Sequence, residues 1–166
     1  MELAGQIFGW ITVALTFLSF QCKDHKKLIV FNTLATLSLC ISYLFLDAMA
    51  GMLMNVVAII RNFAIYKRDR KIFSYSFWPY FFAILMGALG ALSCQGPISL
   101  LVIGALIIGT FFLYSPNVQN LRKVTILTGI MQIIYNSYYQ VWGGVFNELL
   151  AITSAVIGIY RFRKTK

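Results

Sequence analysis

Charge is what this chain has least of. Only 11% of its 166 residues are charged, against 60% hydrophobic. A water-soluble globule of this size always exposes part of its chain and cannot hide so much apolar surface. Acids are scarcer still, five against fourteen Lys and Arg, and no two share a helix face as paired carboxylates for acid–base work would. The one histidine, His25, stands between Asp24 and Lys26 and reads as a solvated loop residue, so no apolar run offers a histidine for a metal or a proton. Cys22, Cys40 and Cys94 are an odd, widely separated set, with Cys22 and Cys94 near opposite membrane faces, which argues against a disulfide or a metal site. Neither enzymatic chemistry nor a cofactor is expected. The amino terminus carries Glu2 and no cationic stretch, so it does not read as a cleaved signal peptide.

What the chain has instead is apolar runs of spanning length, roughly 20 residues each. Seven are expected, over about 3–22, 28–46, 49–66, 74–94, 97–114, 124–141 and 144–160, which leaves short loops and no separate soluble domain. The net charge of +9 is not a nucleic-acid signature, because the cations sit in clusters between apolar runs. Lys23, Lys26 and Lys27 follow the first run, and Lys67, Arg68, Arg70 and Lys71 the third. Arg122 and Lys123 follow the fifth, and Arg161, Arg163, Lys164 and Lys166 the last. These are 13 of the 14 basic residues, and the remaining gaps hold none. Short loops rich in Lys and Arg stay cytoplasmic. The expected partner is the lipid bilayer, with the amino terminus outside and the carboxyl terminus in the cytoplasm.

The chain also repeats itself. At an offset of 94, Thr16-Phe17-Leu18-Ser19-Phe20 meets Thr110-Phe111-Phe112-Leu113-Tyr114. At 92, Thr36, Tyr43, Gly51 and Asn55 meet Thr128, Tyr135, Gly143 and Asn147. Spans one to three thus match spans five to seven. Three is odd, so directly joined copies would point oppositely, and the unmatched fourth span restores the orientation. The expectation is an all-α membrane protein in a 3+1+3 plan: a three-helix bundle over 1–72, a linker helix over 73–95 and a second bundle over 96–166, with parallel repeats.

The run from Gly9 to Gln21, the Asn55-Val56-Val57 triplet and the closing Ile65-Tyr66-Lys67-Arg68 resemble the SWEET and SemiSWEET transporters of the PQ-loop (MtN3-like) superfamily. The whole chain looks still more like a bacterial inner-membrane family, YgjV-like, without an established function. The resemblance implies two three-helix bundles with a solute pathway between them, and places Asn55 and Asn147 at solute-contacting positions. The proline-glutamine pair of such repeats is Gln21-Cys22 in the first copy and Pro116-Asn117 in the second, so Pro116 is the one surviving hinge candidate. No tryptophan stands mid-span in runs two or six, where sugar-binding members stack the pyranose.

Polar residues inside hydrocarbon are costly and turn toward a partner or a cavity. Asn32, Thr36, Cys40, Tyr43 and Asp47 share one helical face, as do Thr128, Gln132, Tyr135, Asn136 and Tyr139, and Gly5, Gly9, Thr12, Thr16 and Ser19. Two readings stand: a lining for a small polar solute such as a sugar or amino acid, or interhelical glue. On the first, Asn55, Asn147, Tyr43, Gln132, Tyr135 and Asn136 bind the solute. Arg61 is a cation for an anionic solute, a partner for Glu148, or a side chain that snorkels to the cytoplasm. Glu148, an acid one turn inside the last span, either couples protons or sits wet at the outer mouth. The functional expectation is alternating-access transport. Its rival is a non-transporting scaffold or receptor that keeps the fold, and the sequence leaves substrate and oligomeric state open.

Overall fold

The structure, a computed structural model, describes residues 2–21, 25–67, 77–114 and 118–161. These residues form seven helices: α1 (Glu2–Gln21), α2 (His25–Phe45), α3 (Met49–Tyr66), α4 (Trp78–Leu92), α5 (Ser99–Leu113), α6 (Val118–Tyr138) and α7 (Trp142–Arg161). Two ends differ from expectation. His25 opens α2 instead of lying in a loop, and Arg122 and Lys123 fall in the second turn of α6. A helix satisfies its own backbone on either side of a polarity boundary, so nothing obliges it to stop where the apolar run stops. Arg122 has a specific anchor as well, since its guanidinium donates to the Gly158 carbonyl on α7 at 3.1 Å.

Among the described residues, two helices, Met49–Tyr66 and Trp142–Tyr160, are long and apolar enough to cross a membrane. Over the described side chains, the apolar stretches of the other helices include Glu2–Leu18, Val30–Phe45, Trp78–Leu92 and Ser99–Leu113. The surface nonetheless reverses the polarity of a soluble protein. Leu3, Ile84, Leu92, Ile157 and Tyr160 are largely exposed, while Thr12, Ser38, Ser42, Asn55, Thr110, Asn136 and Glu148 are buried. Apolar patches on that scale mark contact with lipid or with another protein.

The packing closes on itself. α1 lies against α2, α2 against α3, α3 against α5, α5 against α6, α6 against α7, and α7 back against α1. α4 rests on α3 and α5. Its Gly90 lets Ile103 of α5 seat close, since a Cβ there would lie 2.8 Å from the isoleucine. Hydroxyls fasten α2 to α1: Ser42 donates to the Gly5 carbonyl at 2.7 Å and Ser38 to that of Phe8 at 2.8 Å.

Four chain segments meet at one end of this ring. Gln6 of α1 donates to the Gln140 carbonyl in the α6–α7 turn, and Tyr139 of that turn bonds Gln95 of the α4–α5 connection at 3.1 Å. Glu2, Asp47 of the α2–α3 turn and Gln140 line one shallow depression there. None of these connections carries a Lys or Arg. The two turns are also built alike. α2 ends at Phe45 and α6 at Tyr138, and α3 begins at Met49 and α7 at Trp142. Asp47 and Gln140 have φ near +57° and +55°. The Ala48 N–H bonds the Tyr43 carbonyl as the Val141 N–H bonds that of Asn136. Each of these pairs is 93 positions apart, between the two offsets visible in the sequence.

Candidate functional site

At the end where those turns meet, the ring is filled by a buried polar layer. The Tyr43 hydroxyl donates to Oδ1 of Asn136 at 2.7 Å, joining α2 to α6. The Tyr135 hydroxyl accepts the Gly51 N–H at 2.8 Å. Gly51 lies in the first turn of α3, where amide hydrogens have no partner within the helix, so Tyr135 satisfies from α6 a donor that would otherwise be orphaned. The two rings meet edge to face with centroids 6.0 Å apart, and Tyr43, Tyr135 and Asn136 are all 0% exposed. Glycine at position 51 lets both rings pack close, since a Cβ there would sit 3.0 Å from each. Beside this layer α1 and α7 touch backbone to backbone, and a Cβ on Gly143 would collide with Gly9.

Below the layer a cavity of about 340 Å³ opens between the ring helices. Asn55, Arg61 and Asn62 reach it from α3, Asn147 and Glu148 from α7, Gln132 from α6, Thr12 and Thr16 from α1, and Asn32 and Thr36 from α2. Leu106 and Leu113 of α5 and Ile65 of α3 complete its apolar side. The lining runs from Asn55 and Asn147 to Ile65, two residues before Lys67, so the cavity extends away from the sealed end.

Its polar groups are only partly satisfied. Asn55 is 6% exposed, and its amide donates to the Gly51 carbonyl one turn back at 2.8 Å. Arg61 donates through Nη1 to the Thr110 hydroxyl at 2.8 Å and through Nη2 to Asn62 at 3.3 Å. Thr110 in turn donates to the Leu106 carbonyl at 2.7 Å. The Arg61 Nε–H is buried with no partner among the described residues. Glu148, 8% exposed, accepts from the Asn147 amide at 3.3 Å, while Oδ1 of Asn147 is buried and has no partner among the described residues.

The structure therefore gathers Asn55, Asn147, Gln132, Arg61 and Glu148 around one cavity. It sets Tyr43, Tyr135 and Asn136 in the adjoining layer, bonded to each other's helices and off the cavity wall. Pro116 and the Gln21-Cys22 pair's cysteine lie outside the described residues. Within the stripe on α1, Gly5, Gly9 and Thr12 serve packing: Thr12 donates to the carbonyls of Phe8 and Ala35. Asn62 and Thr110 escaped the sequence reading as site residues. Asn62 adjoins Arg61, and Thr110 is the repeat counterpart of Thr16, which was the available signal. At the offset of the turns, the counterpart of Asn55 is Glu148 and that of Leu39 is Gln132, and all four line the cavity.

No curated protein and no protein of solved structure matches the chain, so the likeness to the SWEET transporters drawn from short motifs finds no support there. A family model described as bacterial inner membrane protein, Imp-YgjV, matches residues 3–166. With all but the first two residues inside that match, the chain belongs to the Imp-YgjV family of bacterial inner membrane proteins.

Proposed function

We propose that the protein is a seven-span transporter of a small polar solute, built on a 3+1+3 plan and working by alternating access. The observation that carries the reading is the polar-lined cavity between α1–α3 and α5–α7, closed at one end by the tyrosine layer and continued toward the other. The closed packing of six helices supports a duplicated three-helix unit: exchanging the halves maps the α1–α7 contact onto the α5–α3 contact, with α4 outside the exchange. The turns free of Lys and Arg, gathered at the sealed end, support an extracellular placement of that end and a cytoplasmic placement of Lys67 and the carboxyl terminus. The state described then faces the cytoplasm. Asn55, Asn147 and Gln132 hold the solute. Transport in the other direction requires the bonds from Tyr43 to Asn136 and from Gly51 to Tyr135 to open while the inner ends of α3 and α5 draw together.

A second reading, a static scaffold, is favoured by one observation. Contacts between the halves at the sealed end involve backbone as well as side chains, as at Gly9 and Gly143. Uptake into proteoliposomes decides between the two. Wild type is expected to accumulate at least one solute from a set of sugars, amino acids and small organic ions. Asn55→Ala and Asn147→Ala are each expected to lower the rate roughly tenfold, the worth of one or two lost hydrogen bonds. No uptake of any solute, or alanine variants as active as wild type, rejects the assignment.

A further inference from the structure

Resting on the solute-binding reading of the cavity, we infer that the solute is a small zwitterion bearing one carboxylate and one ammonium group. The cavity contains a guanidinium and a carboxyl group on different helices, and neither forms an ion pair with a described residue. Both hydrogen bonds of Arg61 go to neutral oxygens, Thr110 Oγ1 and Asn62 Oδ1, and its Nε–H is left over. Glu148 has one bond, from the neutral amide of Asn147, and the amide's own oxygen is left over beside it. Among the residues that line the cavity, the orphaned atoms are thus a donor on the cation and an acceptor next to the acid. A solute carboxylate pairing with the Arg61 guanidinium and an ammonium pairing with Glu148 beside Asn147 compensate both charges. Since Nε and Oδ1 are themselves buried, each side chain turns toward the solute on binding.

Other solute classes leave something unpaired. A neutral polyol supplies hydroxyls but compensates neither charge, and an uncompensated charge away from water is expensive. A simple anion pairs with Arg61 and is repelled by Glu148. A simple amine meets the reverse. The two side chains do not cancel each other directly, and the register explains why. Glu148 holds in α7 the place that Asn55 holds in α3, and Arg61 lies six residues further along, roughly 9 Å of helical rise. Opposite charges at two depths of one cavity call for a solute with opposite charges at its two ends. The volume, about 340 Å³, equals about eleven waters at roughly 30 Å³ each, which admits such a solute with a little water.

Matched compounds test this on the purified full chain in lipid nanodiscs, with binding read by calorimetry. The probes are glycine, acetate and methylamine; 4-aminobutyrate, butyrate and propylamine; and glycerol. One zwitterion is expected to bind at least tenfold more tightly than both of its singly charged analogues and glycerol, the scale of one charge-assisted hydrogen bond. Arg61→Gln is expected to reduce the zwitterion to the level of the amine, and Glu148→Gln to the level of the acid, while Arg61→Lys retains the preference. The wild-type ranking needs no variant to fold. Glycerol or a singly charged analogue binding as tightly as its zwitterion, or no binding by either zwitterion, overturns the inference. Zwitterion binding without uptake supports this inference and sinks transport. Uptake of a neutral sugar with no zwitterion preference sinks this inference and leaves transport standing.

Discussion

Single atoms set the tolerance of the sealed end. Gly143 and Gly109 are both helical glycines in apolar surroundings, yet their environments are opposite. A Cβ on Gly143 would run into the Gly9 backbone, which cannot rotate away, whereas no atom of the described residues lies within 4 Å of one on Gly109. Gly143→Ala must push α7 off α1, and overpacking of a fitted contact costs about 1–3 kcal/mol. Gly109→Ala only removes backbone freedom from the unfolded chain, a gain of about 0.4–1 kcal/mol. Thermal unfolding of the two variants in the same detergent should therefore move in opposite directions, and equal shifts would contradict the packing of α1 on α7. Tyr43→Phe tests the neighbouring bond. It leaves Asn136 fully buried with Oδ1 stripped of its donor, while Nδ2 already lacks a partner. A loss of about 1–3 kcal/mol follows from an unsatisfied buried acceptor. An unchanged unfolding temperature would mean that the hydroxyl is not bonded there.

At the scale of elements, the two helical hairpins α2–α3 and α6–α7 turn in the same way although their turn residues differ. Asp47 and Gln140 both take the left-handed conformation, which a side chain disfavours by roughly 1–2 kcal/mol. Asp47→Gly and Gln140→Gly should each relieve part of that strain and raise stability by up to about 1 kcal/mol. If both variants melt lower than wild type, the turns are not as described. The same comparison shows where the sequence stops being informative. A polar residue within an apolar run must face inward, so Asn55, Arg61, Gln132, Asn147 and Glu148 can be picked out from hydropathy alone. So can the repeat, because Thr, Tyr, Gly and Asn recur at similar intervals. Which interior a residue faces cannot be read that way. Tyr43 and Asn136 look as much like cavity residues as Asn55 does, and only the fold, which brings the two side chains within hydrogen-bond distance, closes them into a bonded layer. The register is just as hidden. Matching Gly51-to-Asn55 with Gly143-to-Asn147 aligns identical letters, yet the backbone aligns the turns one residue later and sets Glu148 against Asn55. Identity scores side chains, whereas hairpin geometry is fixed by where each helix ends. Helix ends are likewise obscure where a basic cluster continues helical, as Arg122 and Lys123 do in α6.

For the molecule as a whole, the question is which way the cavity faces. Its lining passes down α3 from Asn55 through Asn62 to Ile65, toward Lys67, and the layer of Tyr43, Gly51, Tyr135 and Asn136 stands across the opposite end. If short basic segments stay in the cytoplasm, a thiol introduced at Asn62 or Gln132 is wet from the cytoplasmic side. One placed at Ala48, which is 0% exposed within the sealed end, is wet from neither. With Cys22, Cys40 and Cys94 replaced by serine, a membrane-impermeant thiol reagent should modify Asn62→Cys and Gln132→Cys in inverted vesicles. In right-side-out cells it should modify them at least tenfold more slowly. Adding Tyr43→Phe removes the bond between α2 and α6, so labelling of Gln132→Cys from outside should rise several-fold if the layer is a gate. If labelling from outside stays low while stability falls, the layer is a fixed seal and the molecule a static bundle. Faster labelling from outside than from inside in the parent variants would invert the proposed orientation altogether.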